Sequence, residues 1–433
     1  MGIKDYFRKE KLLKIYNEKI QYSTHMGIDK ISNYKFEENL EKNINKIIND
    51  IKNNRYMFKP YKVVLIPKNV ESKPRKICIA TIRDRLVIEV IKEYLYDEYL
   101  NYNLNCGVSN LVNSFIYEYN NGNYYKYIKT DLTTYFDSVD HKLLIKKIKK
   151  QVKDETAMNL IIKLLENVQR YNDNDNVKNK KGIPQGLSIS MLLANIFMHD
   201  IDNFFSNKRV KYFRYVDDIF LLCKHHTYFY FIILKLKLMK NKLKLNKKKT
   251  VISNIKKPFI FLGYSIKEDC ISVKIQSIKK LELSLENIFK NYKTTGNKDE
   301  LLWRLNIRIS GAISNNKKYG WLFYFNSIND KKLLYKLDHL VEKLKKRYKV
   351  KELKNKTFLE TYYQIKNKNI KSNEYFFNVD ECSEEEKIII LNNISNISID
   401  DIQKLTKKEL DLNYRKAIFK CLKSLERDLD NIS

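Results

Sequence analysis

Proline stops at residue 258. All five prolines, Pro60, Pro67, Pro74, Pro184 and Pro258, lie in the first part of the chain and the remaining 175 residues have none, so no proline breaks helices in that second part. Cysteine is scarce as well: Cys78, Cys106, Cys223, Cys270, Cys382 and Cys421 form no C-x-x-C pair, and no His stands at zinc-like spacing. That excludes a disulfide-stapled secreted scaffold and reads as reduced thiols of a cytosolic protein. Long apolar runs are missing too, the longest being residues 228–234, against the roughly 20 residues a bilayer span needs. With no signal peptide in view, the expectation is a soluble cytoplasmic protein with no membrane partner. Acidic residues are outnumbered, 51 Asp and Glu against 83 Lys and Arg, for a formal charge of +32 spread along the chain.

That imbalance points to a polyanionic partner, nucleic acid first. Richness in Lys, Asn, Ile and Tyr is also what an AT-rich genome produces, but such drift raises Glu along with Lys and leaves no excess this large. At 433 residues and 43% hydrophobic content the chain can bury real cores in two or three domains.

The proline-containing part mixes strands, loops and helices, whereas the second is mostly amphipathic helix. Between residues 331 and 348, for example, Leu333, Leu334, Leu337, Val341 and Leu344 recur at helical spacing. Residues 62–67 and 75–80 read as two strands joined by a basic loop, and 83–99 as a helix. A strand ends at Asp131, helices follow over 140–152 and after Gly186, then comes an apolar hairpin, a helix over 228–242, and strands over 249–252 and 259–266. This order describes an α+β layer with acids on one face. Residues 172–181 and 293–299 read as loops, and 381–386 as the approach to a small terminal helical module.

The hairpin holds the most informative residues. Tyr215-Val216-Asp217-Asp218 places two adjacent carboxylates between Tyr212-Phe213-Arg214 and Ile219-Phe220-Leu221-Leu222-Cys223. Buried carboxylates must be paired, hydrogen-bonded or bound to metal. An acid doublet alone is ordinary turn chemistry. A third acid, Asp131, ends another strand-like run 86 residues before Asp217, however, and three carboxylates on neighbouring strand ends can hold two Mg²⁺ ions about 4 Å apart for in-line attack on phosphorus.

In order and character these residues resemble the fingers and palm of reverse transcriptases, over about residues 58–266. Tyr215-Val216-Asp217-Asp218 resembles the family's YxDD box, and Asp131-Leu132-Thr133-Thr134-Tyr135-Phe136-Asp137 its first metal-binding strand. Gly182-Ile183-Pro184-Gln185-Gly186 resembles the PQG box. The resemblance implies a right-hand polymerase: N-terminal segment and fingers over 1–123, a palm with an antiparallel sheet over 124–266 with a fingers insertion at about 142–185, a helical thumb over 267–350 and a C-terminal helical region over 351–433. It makes Asp131, Asp217 and Asp218 the catalytic metal ligands, for two Mg²⁺ with Mn²⁺ as an alternative. Phe136 becomes a steric gate against a 2′-hydroxyl. Lys68, Arg75, Gln185 and Lys249 become nucleotide-binding residues, with Lys76 left outside the clamp. Gly186, Tyr215, Leu262, Gly263 and Arg83 become primer or template contacts, with Phe261-Leu262-Gly263-Tyr264 as the primer grip. Arg83 and Arg85 are also open to pairing with Asp84, and Asp137 and Asp140 to capping the next helix.

The Ser188-Ile189-Ser190 string after the PQG box, with Met191 where many relatives carry Pro, resembles the bacterial defence-associated, abortive-infection-type group. It implies an RNA-directed DNA polymerase working in anti-phage defence on a cognate non-coding RNA template, with dNTPs, a DNA product and room for a homo-oligomer. There is no Cys/His endonuclease module of the intron type, no Val-Thr-Gly string of the retron type and no apparent ribonuclease H acid set. Template-independent or protein-primed synthesis on the same fold is one alternative, and a non-catalytic RNA-binding scaffold is another. From Trp303 to Phe325, aromatics interleave with Arg304 and Arg308; they suit stacking on bases or packing a thumb core equally well.

Overall fold

The basic β-branched runs on either side of the 68–74 loop pair as antiparallel strands β1 (Tyr61–Ile66) and β2 (Arg75–Ile79) in the computed structural model. The structure describes residues 2–21, 23, 25–67, 74–100, 107–171, 175–367, 375–395 and 397–427. Lys68 lies outside them. Two compact units divide the chain, Met1–Leu111 with Tyr117–Asn254, and Val112–Ile116 with Ile255–Ser433.

In the first unit, β3 (Lys126–Asp131) buries Tyr127, Ile128, Thr130 and Asp131, leaving Lys126 exposed and Lys129 half-buried. The short strands β4 (Val168–Arg170) and β5 (Asn176–Lys178) extend the β1–β2 pair into the sheet β2-β1-β4-β5. A second sheet has the order β6-β7-β3-β8, with β6 (Val210–Tyr215), β7 (Asp218–Cys223) and β8 (Val251–Asn254), all antiparallel. β7 is buried at every position, as the continuous apolar run of an interior strand requires. Helix Ser190–Ser206 packs beside β6 and presents Leu192, Leu193, Ile196, Phe197 and Ile201 to the core. Asp140 caps helix His141–Gln151 through the Leu143 N–H at 3.0 Å. The α+β expectation holds.

The second unit begins with β9 (Phe259–Phe261), β10 (Tyr264–Lys267) and β11 (Cys270–Val273), which pair only with one another. The sequence reading joined 259–266 to the acid-bearing layer; the structure gives these strands a sheet of their own, with Phe115 against Phe259 and Phe261 at ring-centroid separations of 6.1 and 4.8 Å. Helices Ile275–Thr295, Lys298–Ser310 and Lys331–Arg347 follow, the last burying Leu333, Leu334, Leu337, Val341 and Leu344 as their spacing predicts. β12 (Ala312–Ser314) pairs with β13 (Lys317–Tyr319) and β14 (Phe377–Asn378). Helices Glu384–Ser395 and Lys407–Arg427 close a separate apolar cluster around Leu391, Ile402 and Tyr414.

Two expectations for the second unit resolve toward packing. Trp321, Phe323 and Phe325 are buried, with Trp321 and Phe325 rings 5.0 Å apart, so these aromatics fill a core and are closed to base stacking. Arg304 pairs with Glu300 at 2.7 Å and Arg308 donates to the Ser424 carbonyl at 3.0 Å, committing both guanidinium groups within the chain.

Candidate active site

Strand register gathers the acids. Asp131 ends β3 directly opposite Asp218, the first residue of β7, and Asp217 sits in the two-residue turn between β6 and β7. The Leu132 N–H donates to the Asp217 carbonyl at 3.2 Å, fixing that turn to the end of β3. Val216 makes the turn at φ 58°, a left-handed conformation that a β-branched residue resists, of the kind that surrounding structure must impose. Arg214 imposes it. Its side chain is 7% exposed, and it donates to the Val216 carbonyl at 2.9 Å and to both carboxylate oxygens of Asp202, at 2.8 and 2.5 Å. Asp202 also accepts from Tyr212 Oη at 2.9 Å, and Asn195 from Arg214 at 3.2 Å.

Asp131 and Asp218 are buried, at 5% and 7% exposure. Burial, reinforced by the neighbouring acids, raises the Asp218 carboxyl to about 6, and burial with the charge of Asp131 raises that of Asp217. Lys249 supplies the countercharge, in an ion pair with Asp131 Oδ2. Burial pulls its ammonium down, but the bond to Asp131 and the charges of Asp218 and Asp217 outweigh that, leaving it raised. Its placement follows from local structure: the Asn246 N–H donates to the Asp131 carbonyl at 2.7 Å, the Asn246 side chain accepts from the Lys248 N–H at 3.2 Å, and Thr250 meets Thr130 at 2.7 Å.

Among the described residues no three His, Cys, Asp or Glu side chains form a ready ligand set for one ion. The sequence expectation therefore finds its three acids gathered on two strand ends and their turn, but with Lys249 on Asp131 in place of a converged metal geometry. The donor chemistry still fits a hard divalent cation. Asp131 Oδ1 is buried without a hydrogen-bond partner, and Asp217 and Asp218 are held in a repulsive pair that added positive charge would relieve.

Around the acids, Phe136 lies half-buried in the short helix Tyr135–Ser138, its ring 5.7 Å from Tyr135. The Ile183 N–H donates to the Phe136 carbonyl and the Gly182 N–H to that of Val139, both at 2.8 Å, so the GIPQG segment is docked on this turn. The glycines serve the docking itself. At Gly186, φ 98°, an added Cβ would come within 2.8 Å of the Cys78 carbonyl oxygen, and at Gly182, φ 89°, within 2.9 Å of the Asp137 backbone. The Cys78 N–H donates to the Gln185 carbonyl at 2.7 Å. These contacts hold the segment against β2.

The remaining expected residues are dispersed. Arg75 is exposed at the start of β2, and Lys76 lies over the Tyr171 ring at 5.3 Å. Arg83 pairs with Asp50 at 2.6 Å and covers the Tyr56 ring at 4.7 Å. Asp84, which the sequence offered as partner to Arg83 or Arg85, instead accepts from Tyr56, Thr81 and the Lys59 N–H. Arg85 donates to the Ala80 carbonyl at 3.0 Å. Tyr215 is half-buried opposite Asp218. In the second unit, Leu262 and Gly263 form the β9–β10 turn at φ 46° and 81°; their carbonyls accept from Tyr324 Oη at 3.2 Å and the Lys274 N–H at 2.9 Å.

Residues 66–266 match the family model described as reverse transcriptase (RNA-dependent DNA polymerase). Over these residues the chain is similar to a reverse transcriptase domain. The putative COX1/OXI3 intron 2 protein of Saccharomyces cerevisiae is 30% identical over 175 residues, 38% of this chain and 20% of that protein. The group II intron-encoded protein LtrA of Lactococcus lactis subsp. cremoris is 28% identical over 187 residues, 40% of this chain and 30% of that protein. The chain thus spans a fifth to a third of the length of these relatives. A solved telomerase of Candida albicans, in complex with a fragment of telomeric RNA, aligns with a TM-score of 0.42 at 14% identity over 92% of this chain and 66% of that one, too loosely to carry an inference.

Several residues that shape the acid cluster escaped sequence reasoning. Lys129 shares the Asp131 face of β3, lies opposite Phe220 and is lowered by burial despite the nearby charge of Asp218. The period-two alternation from Asp131 was signal enough to find it. Arg214 follows two aromatic residues in its strand and, once buried, calls for a partner, but nothing in sequence singled out Asp202.

Proposed function

We propose that the chain is an RNA-directed DNA polymerase in which Asp131, Asp217 and Asp218 hold two divalent cations, Mg²⁺ or alternatively Mn²⁺. The observation that carries this reading is the register pair of Asp131 and Asp218 on adjacent strand ends, with Asp217 at the turn and Lys249 paired to Asp131. Divalent cations there would lower the pKa of an attacking hydroxyl and neutralise the leaving oxygen. Lys249 stays protonated and can give a proton to departing pyrophosphate. Phe136 stands where a ring can refuse a 2′-hydroxyl. Arg75, with Lys68, is assigned to the triphosphate and Gln185 to the incoming nucleotide. Gly186, Tyr215, Leu262 and Gly263 are assigned to primer and template, together with the guanidinium edge of Arg83 that Asp50 leaves unengaged.

The partners in this reading are an RNA template, dNTPs and the DNA product, and the biological setting is bacterial anti-phage defence with a cognate non-coding RNA. The Ser188-Ile189-Ser190 string supports the defence setting. The names of the curated relatives support a second one, an intron-encoded reverse transcriptase. Two measurements test the proposal. Purified protein with Mg²⁺ and dNTPs should extend a primer on RNA, and Asp217→Asn should lower the rate by at least about 10³-fold, as loss of several kcal/mol of metal stabilisation requires. Unchanged extension by that variant would remove the assignment. Sequencing the RNA that co-purifies separates a short non-coding RNA from an intron.

A further inference from the structure

The end of the β6-β7-β3-β8 sheet away from the acids carries a cavity of about 430 Å³ whose lining includes Tyr125, Lys126, Lys224, His225, Tyr228 and Phe229. That volume falls in the roughly 300–1,000 Å³ range of small-ligand sites. Lys126 begins β3 and Asp131 ends it, so the cavity lies about 17 Å along the strand from the acids at the usual rise of about 3.3 Å per residue. It is a separate site on the same sheet.

Its chemistry is that of a base and a phosphate. Tyr125, Tyr228 and Phe229 are 59%, 63% and 59% exposed and line one cavity together, and it is the grouping of exposed rings that marks a contact surface. Neither lysine has an ion-pair partner among the described residues. Lys126 Nζ lies 5.7 Å from the centre of the Tyr228 ring and Lys224 Nζ 5.7 Å from that of Tyr124; Glu118, which the charge of Lys224 also reaches, is ion-paired with Lys211 at 2.8 Å and accepts from Tyr124 Oη at 2.8 Å. The His225 ring lies tilted beside that of Tyr125, with centroids 6.0 Å apart and planes at 48°. Exposed rings interleaved with uncommitted cations are how proteins hold single-stranded nucleic acid, stacking the bases and following the backbone.

We propose that this cavity is a second nucleic-acid site, which holds an unpaired nucleotide of an RNA strand by stacking on Tyr125 and Tyr228 and by phosphate contacts from Lys126, Lys224 and His225. It anchors the strand away from the acid cluster, so a bound RNA keeps its hold on the protein while another part of it is copied. The competing occupant is a second copy of this chain, because Tyr228 and Phe229 lead onto exposed Ile232, Leu236 and Met239 of the same helix. The lysines and histidine at the cavity, in a chain of charge +32, favour the polyanion.

The test uses full-length protein and a single-stranded RNA 12-mer carrying 4-thiouridine, with ultraviolet crosslinks mapped by mass spectrometry and affinity read by anisotropy. Crosslinks are expected on peptides containing Tyr125 or residues 225–229. The double variant Tyr125→Ala/Tyr228→Ala should lose them and weaken binding roughly tenfold, the scale of one base stack. Tyr125→Phe/Tyr228→Phe, which keeps the rings, should retain both. Lys126→Gln/Lys224→Gln should reduce the slope of log affinity against log salt by up to about 2. All variants should extend a pre-annealed primer–template at the parental rate. Crosslinks confined to other peptides, or affinity unchanged in the double variants, would overturn the proposal, as would unchanged RNA binding accompanied by a fall in solution mass from dimer to monomer. Failure of the parental protein to synthesise DNA would remove the polymerase reading and leave the crosslink map standing.

Discussion

Asp218 shows how far one side chain's chemistry depends on its neighbours. Buried beside two other acids, its carboxyl rises to about 6, while Lys249 remains charged because those same acids hold its proton. The cluster is thus built around a shortage of positive charge that one lysine partly meets. Phe136 carries the clearest prediction at this scale. Phe136→Val should raise ribonucleotide incorporation relative to deoxyribonucleotide by roughly ten- to a hundredfold, the range of pocket-shape discrimination, measured as the ratio of kcat/KM for the two substrates. An unchanged ratio would return Phe136 to plain packing against Tyr135. The three acids could be picked out in the sequence as candidates because motif order locates them, and strand register brings them together, while Phe136 stays a candidate on motif position alone. Lys129, Arg214 and Asp202 were not singled out, since their partners lie on other elements.

At the scale of elements, the β6–β7 turn is maintained by the buried Arg214–Asp202 pair. Asp202→Ala leaves the Arg214 charge unmatched, and we expect a loss of about 3 kcal/mol, the low end for a broken buried pair because Asp202 keeps 27% exposure. Urea unfolding should report it, with a fall in polymerase activity as the Val216 turn relaxes. A second element-level prediction concerns the cap of helix His141–Gln151. The hydrogen bond from Lys242 holds the Asp140 carboxyl below its usual range, helped by the capping bond from the Leu143 N–H. A depressed folded-state pKa adds stability that is present above the unfolded value and is lost as pH falls through the folded one. The difference in unfolding free energy between the parent and Asp140→Asn should therefore shrink as pH drops from about 6 to about 3; a constant difference would assign the effect to packing. Helix and strand positions were largely legible, since period and turn residues are local signals. The separate sheet of 259–273 was not, because its pairing depends on which strand edges meet.

For the whole molecule the governing quantity is charge. If six to ten of the 83 basic side chains touch phosphates, affinity for RNA should fall by roughly 10³ to 10⁵ between about 50 and 200 mM salt, as measured by filter binding. A flat profile would assign the excess to composition alone. What the sequence by itself determined was the excess of positive charge, the α+β order of elements and the candidate acids with the boxes around them, because charge, periodicity and short motifs are properties of the chain read in one dimension. Tertiary structure decided which of those residues face each other. It put Lys249 on Asp131, turned Trp321, Phe323 and Phe325 inward and set Gly182 and Gly186 against neighbouring backbone. It also left Tyr125, Lys126 and Tyr228 exposed together at the other end of the sheet. Strand register and burial fix these outcomes, and both arise from contacts between residues far apart in the chain.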